Sequence, residues 1–117
     1  MIFLVCDYTM QLINNLKCIK HIIENHHFCL LYIQAPDCGL CSVMLSKIEQ
    51  VSQQHKHLQA VRVELHEVPE LASAFLVATA PTVLVFVNSK EVYRAGTFID
   101  VLELERILSR WSDNLTL

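Results

Sequence analysis

The chain has 117 residues, of which 53% are hydrophobic and 18% are charged. This length predicts one domain, 1–117, and the apolar fraction supplies a core, which excludes a disordered chain. The net charge is −3 with neutral histidines, and no run of basic residues occurs, so the composition argues against nucleic acid as a partner.

The N-terminal apolar run 1–6 has no positively charged start and is too short for a signal segment or a membrane span. Five cysteines are an odd count without a secretory context, which argues against a framework of disulfides. We therefore expect a cytoplasmic protein with no membrane partner, in which any disulfide would be transient.

In chain order, residues 2–6 predict a short buried strand or an N-terminal arm. Apolar residues recur at helical spacing through 10–25, which predicts a first helix with Thr9 as its N-cap. The continuous apolar run 28–35 predicts a central strand covered on both faces, and Pro36 ends it.

A second helix is predicted after Pro36, because apolar residues recur there on one helical face: Leu40, Met44, Ile48 and Val51. The later segments predict, in order, a strand at 60–65, a short helix from Pro69 to Phe75, a strand at 82–87, a turn at 88–90, a returning strand at 91–96 and a last helix opened by a capping box of Asp100 and Glu103. Helices between the early strands require parallel pairing, and the closing hairpin adds antiparallel strands. The fold class predicted is therefore α/β with a mixed sheet.

Two cysteines, Cys38 and Cys41, stand at the start of the second helix with Gly39 and Leu40 between them. Taken alone, this spacing fits a redox pair, half of a metal site or two buried thiols. The stretch "TAPTVLVF" (79–86) leads into a buried strand, and Gly96 ends the hairpin that follows.

Together, these motifs in this order of elements resemble the thioredoxin family over nearly the whole chain. The resemblance implies a thioredoxin-like fold with about five strands and about four helices. It also implies a thiol-disulfide oxidoreductase of the protein-disulfide reductase type, which exchanges disulfides with protein substrates. Pro81 should then follow a cis peptide bond, leaving the backbone at Ala80 free to pair with an extended substrate.

Thiol-disulfide exchange needs an accessible thiolate and a second thiol near it. We expect Cys38 to be the nucleophile, because unpaired N–H groups at a helix start favour a negative sulfur, and Cys41 to be the resolving thiol. Gly39 should let the turn bend. The remaining expected substrate contacts flank the pair or come from the distant motifs: Asp37, Leu40, Ala80, Pro81 and Gly96.

No glycine-rich phosphate loop occurs, so the redox disulfide is the only cofactor expected, with electrons supplied by a separate reductase or a small thiol. We expect no metal site, since His55, His57 and His66 lack zinc-finger spacing. A metal or cluster bridging two chains through Cys38 and Cys41 remains an alternative.

Three positions depart from the family pattern. Asp37 precedes the nucleophile in place of the usual tryptophan, where its charge should raise the Cys38 pKa or its side chain should cap the helix. Leu40 replaces the usual proline. Tyr32 occupies the position of a buried acid, and tyrosine is a poor base at neutral pH. These departures motivate an alternative function, a thioredoxin-fold binding module with little redox turnover.

Several other polar residues receive a structural interpretation. Arg62 either matches a family lysine below the site or faces solvent. The other cysteines lie in apolar surroundings and should pack in the core: Cys6, Cys18 and Cys29. The histidines at 26, 27, 55 and 57 should lie at solvated ends of elements.

Overall fold

A computed structural model describes residues 10–114. The elements are, in order, β1 (Gln11–Leu12), α1 (Leu16–Asn25), β2 (Phe28–Gln34), α2 (Gly39–Gln53), β3 (Gln59–Glu64), α3 (Leu71–Phe75), β4 (Thr82–Val87), β5 (Lys90–Gly96) and α4 (Val101–Asn114). The described residues therefore form the expected five strands and four helices of an α/β fold.

The sheet has the strand order β1-β3-β2-β4-β5. Strands β1 and β2 both pair with β3 in parallel, whereas β2–β4 and β4–β5 are antiparallel. The predicted mixed sheet is thus confirmed, with the two largely apolar strands β2 and β4 side by side in its interior. Because β2 and β3 end at the same edge as the start of β4 and the end of β5, the loops that carry the sequence motifs meet at that edge.

Each face of the sheet carries a separate apolar layer. On one face, α2 packs through its predicted apolar stripe together with α4, and Ile48, Leu104 and Leu108 are fully buried. On the other face, α1 and α3 cover Leu31, Val63 and Leu84. The central strands are covered on both sides, which explains why β2 and β4 read as continuous apolar runs instead of alternating.

The predicted start of the first helix is wrong. Helix α1 begins at Leu16, and its N-cap is Asn15, whose side chain accepts a 3.0 Å hydrogen bond from the Cys18 amide. The preceding residues instead reach the sheet edge: Met10 is buried in the core, and Gln11 and Leu12 pair with β3. The proposed cap Thr9, the strand at 2–6 and Cys6 all lie outside the described residues.

The predicted cap of the last helix is confirmed, but the reciprocal half of the capping box is absent from the described structure. Asp100 Oδ1 accepts from the amides of Leu102 and Glu103 at 3.0 and 3.2 Å. The Glu103 carboxylate accepts instead from the Tyr93 hydroxyl at 2.8 Å, which joins α4 to β5.

Candidate functional site

The two motif cysteines form a disulfide at the start of α2, with Cα atoms 5.3 Å apart. Cys38 is the helix N-cap in extended conformation, and the Cys41 amide lies 3.1 Å from the Cys38 sulfur. A thiolate formed at Cys38 on reduction would therefore accept that N–H and face the positive end of the helix dipole.

The two sulfurs differ in access to solvent. Cys38 is half-buried, whereas Cys41 is buried, with 5% of its surface exposed. An incoming disulfide can therefore reach Cys38 but not Cys41. This asymmetry matches the division of roles between an attacking and a resolving thiol.

The second sequence motif lies against the disulfide. The Ala80–Pro81 peptide is cis, as the resemblance implied, and the Cys38 sulfur lies 4.0 Å from the Ala80 carbonyl oxygen. The Pro81 carbonyl accepts a 2.8 Å hydrogen bond from the Thr97 amide. The structure thus brings Cys38 next to Ala80 and Pro81, which follow it by more than forty residues in the chain.

Gly96 completes this edge by allowing a close approach between strands. It pairs with Thr82, and a Cβ atom at position 96 would lie 3.3 Å from the Thr82 hydroxyl oxygen and 3.7 Å from the Pro81 carbonyl oxygen. That hydroxyl is itself held, since it donates to the Thr79 carbonyl at 2.7 Å. A larger residue at 96 would therefore press on the segment that carries Pro81.

The expected bend at Gly39 lies instead at Asp37. Asp37 has φ 57°, in the left-handed region, whereas Gly39 is the first helical residue and has no positive φ. Aspartate is among the residues that tolerate this conformation at a turn. A Cβ at Gly39 would meet no atom within 4 Å, so the space beside this residue is open.

Asp37 does not cap the helix, because Cys38 occupies the cap position. The Asp37 side chain is exposed and makes no hydrogen bond or ion pair within residues 10–114. The neighbouring Leu40 turns the other way and packs against the α2–α4 layer. Of the residues between Asp37 and Cys41, the exposed ones are therefore Asp37 and Gly39.

Tyr32 lies beneath the pair of cysteines. The sequence indicated that it is a poor base, but not that it bonds to Cys41. It is fully buried in β2, and its hydroxyl donates a 2.7 Å hydrogen bond to the Cys41 carbonyl oxygen. Burial raises the pKa of Tyr32 to about 12, so the side chain is a hydrogen-bond donor and not a base near neutral pH. The sequence signal for this contact was one hydroxyl within an otherwise apolar central strand.

Arg62, on the neighbouring strand, serves the sheet edge. Its Nε donates to the Met10 carbonyl at 3.0 Å, which fixes the segment before β1. Neither of the two predicted roles describes this contact.

Within residues 10–114, no three metal-ligating side chains are grouped so as to hold an ion. In the same part of the chain, none of the helices combines the length and apolarity of a membrane span.

The comparisons with known proteins agree with this geometry. The family model described as Thioredoxin matches residues 11–110. The Thioredoxin-like protein YdfQ of Bacillus subtilis (strain 168) is 30% identical over 98 residues, which cover 84% of this chain and 88% of that protein. The thioredoxin of Griffithsia pacifica is 30% identical over 74 residues, which cover 62% of this chain and 68% of that protein.

A structural relative extends the comparison of the fold. The crystal structure of thioredoxin from Trypanosoma brucei brucei superimposes with a TM-score of 0.83, covering 97% of this chain and 99% of that chain. The sequence identity is 13%, so this similarity shows the fold alone.

Proposed function

This chain belongs to the thioredoxin family and is a thiol-disulfide oxidoreductase, and on that premise we propose that it is of the protein-disulfide reductase type. The observation that carries the proposal is the accessible Cys38 sulfur at a helix start, beside the Ala80 carbonyl and with Cys41 bonded to it from below. A polypeptide disulfide can approach this edge, whereas the buried Cys41 is reached only through Cys38.

The proposed reaction has two exchange steps. The Cys38 thiolate attacks one sulfur of the substrate disulfide, a Cys38–substrate bond forms, and the other substrate sulfur leaves as a thiolate. Cys41 then loses its proton and attacks the Cys38 sulfur, which releases the second substrate thiolate and forms the Cys38–Cys41 disulfide. Two electrons pass to the substrate, and a separate reductase or a small thiol restores the dithiol.

We propose that the substrate chain lies along the edge formed by the residues around the disulfide. The expected contacts are Asp37 and Gly39, which flank Cys38 in the chain, and Ala80, Pro81 and Gly96, which lie at or beside the cis peptide. Leu40 would act indirectly, since its side chain packs inward and supports the first turn of α2.

We further propose that the disulfide is the only redox group, with no other cofactor, and that the protein works in the cytoplasm, where small thiols can reduce it. The support for a reducing compartment is that two further cysteines of the described chain, Cys18 and Cys29, are free thiols. Cell fractionation tests the compartment, and recovery in a secreted fraction would contradict it.

Reduction of insulin with dithiothreitol as the electron donor tests the reductase type. We expect the wild-type protein to accelerate precipitation of the insulin B chain at least about tenfold over Cys38→Ser, because that variant lacks the attacking thiolate. A Cys41→Ser variant should accumulate a mixed disulfide with substrate, since the resolving thiol is gone.

A wild-type rate equal to that of Cys38→Ser would contradict the reductase proposal. Recovery of one stable partner protein both by the wild type and by a variant that lacks Cys38 and Cys41 would then favour the alternative function, a binding module with little redox turnover. The observation that supports this second candidate is Tyr32, which supplies no base beneath Cys41.

A further inference from the structure

We propose that Tyr32 is a positioning residue for the resolving step: its hydroxyl holds the Cys41 backbone against β2, so that the Cys41 thiol stays aligned with the Cys38 sulfur while the disulfide is open. The proposal deepens the exchange reaction above and rests on Cys38 being the sulfur that forms the mixed disulfide.

The contact is direct and buried. Tyr32 is 0% exposed, and its hydroxyl lies 2.7 Å from the Cys41 carbonyl oxygen. The tyrosine itself is held by the centre of the sheet, because β2 is paired on both sides, with Tyr32 opposite Arg62 in β3 and opposite Val83 in β4. Tyr32 therefore offers α2 a point of attachment on a buried strand that is hydrogen-bonded to a neighbour on each side.

The contact also falls where a point of attachment is needed. The Cys41 amide bonds the Cys38 sulfur at 3.1 Å, and the Cys41 carbonyl bonds Tyr32, so both polar groups of the Cys41 backbone are directed. In the oxidised protein, the disulfide already ties the two residues together. In the dithiol or a mixed disulfide that tie is missing, and the hydroxyl bond is what joins the first turn of α2 to β2 through Cys41.

A thiol that is already oriented toward the sulfur it attacks reacts faster than a mobile one, because less entropy is lost in reaching the transition state. Loss of the Tyr32 hydroxyl should therefore slow the attack of Cys41 on Cys38. It should leave the first attack by Cys38 on an outside disulfide nearly unchanged, since Cys38 reaches that substrate from solvent. The high pKa of Tyr32 keeps its hydroxyl protonated, and so able to donate this hydrogen bond, near neutral pH.

A coloured aromatic disulfide, dithiobis-nitrobenzoate, separates the two steps. Reduced protein in a Cys6→Ser, Cys18→Ser background releases one aromatic thiolate when Cys38 forms the mixed disulfide. It releases a second when Cys41 closes the Cys38–Cys41 bond, with the Cys41 proton passing to solvent. The variant is Tyr32→Phe, which keeps the ring. The matched control is Tyr93→Phe, which loses a similar 2.8 Å bond, to Glu103, on the same face of the sheet.

We expect Tyr32→Phe to slow the second release roughly three- to tenfold, the effect of one net hydrogen bond, and to change the first by less than about twofold. The equilibrium constant for oxidation by glutathione disulfide should fall by the same factor, and a tenfold fall corresponds to about 30 mV in reduction potential. Tyr93→Phe should change neither phase. Equal slowing of both phases, or an unchanged second phase, in Tyr32→Phe overturns the proposal.

A measurement on the reduced wild-type protein covers the case in which Tyr32→Phe does not fold. The proposal requires the hydroxyl bond to persist when the disulfide is open. The Tyr32 hydroxyl proton should then exchange slowly, seen as a resolved deuterium isotope shift on its Cζ carbon, and averaging of that shift would overturn the proposal. Absence of two-step release in the wild type would instead count against the exchange reaction itself.

Discussion

At the scale of single residues, Asp37 has the least ordinary position. It adopts a left-handed backbone immediately before the attacking cysteine, and its exposed carboxylate has no hydrogen-bonding or ionic partner within residues 10–114. Because Cys38 serves as the helix cap, the sequence interpretation of Asp37 as a cap is wrong. The other interpretation, a like charge beside a developing thiolate, stays a prediction.

We expect Asp37→Asn to lower the pKa of Cys38 in the reduced protein by about half a unit, because removing a nearby negative charge favours the thiolate. The pH dependence of alkylation by iodoacetamide measures this pKa. Asp113→Asn is the matched control, since that aspartate is likewise exposed but lies at the C-terminal end of α4, a helix that does not carry the disulfide. A Cys38 pKa that is unchanged or raised in Asp37→Asn would show that the charge does not govern the thiol.

At the scale of elements, His55 joins the two helices that cover the site's face of the sheet. Its side chain is 8% exposed, Nδ1 lies 2.8 Å from the Ser112 hydroxyl, and Nε2 lies 3.5 Å from the Glu105 carboxylate. Glu105 also accepts from Ser109 at 2.9 Å. The expectation of a solvated histidine at position 55 is therefore wrong, because the residue after α2 is covered by α4.

We expect His55→Ala to lower the free energy of unfolding by about 1–2 kcal/mol, because α2 and α4 lose two polar contacts in a mostly buried place. Urea denaturation of the oxidised protein measures the change. His57→Ala, at an exposed position two residues on, should stay within about 0.5 kcal/mol of the wild type. Equal effects of the two substitutions would show that the His55 contacts do not join the helices.

At the scale of the whole molecule, three buried or half-buried acids respond to alkaline pH in the same direction. Burial raises the pKa of Cys29 to about 11 and of Tyr32 to about 12, and burial with the Glu103 carboxylate raises that of Tyr93 to about 12. The Cys29 thiol points to backbone carbonyls of Ile22 and His26. Each group is thus held neutral in the folded protein at a pH where the unfolded chain would ionise.

Stability should therefore be lost as the pH rises. Above about pH 9 for the thiol and about pH 10 for the phenols, the unfolded state binds fewer protons than the folded state, so the free energy of unfolding falls with pH. Urea denaturation of the oxidised protein between pH 8 and about 11 should show this fall. Cys29→Ala should show a shallower slope, and a slope equal to that of the wild type would contradict the assignment to Cys29.

The sequence was most informative where its signal was local. The apolar runs predicted β2 and β4, and the pair at the head of α2 was confirmed as a disulfide at Cys38 and Cys41. The start of α1 could not be read in this way, because Met10 and Gln11 are placed by the distant strand β3. Periodicity alone does not distinguish a helix from a short edge strand.

The polar contacts, like the start of α1, depend on residues that are distant in the chain and could not be predicted from local sequence. His55 meets a serine 57 residues along the chain, and the Tyr32 hydroxyl finds the Cys41 carbonyl only after α2 has packed on β2. A histidine near a helix end and a hydroxyl in an apolar strand each have several local interpretations. Which of them holds is decided by tertiary packing.

The hairpin between β4 and β5 turns at Asn88 and Ser89, both with positive φ, at the end of β4 away from Thr82 and the disulfide. Its tip is exposed, although the Asn88 amide is anchored to the His27 carbonyl at 2.8 Å. Exposed tips of this kind accept added chain. A carrier domain or surface anchor inserted after Ser89 would leave Cys38 facing away from the support, open to an approaching protein.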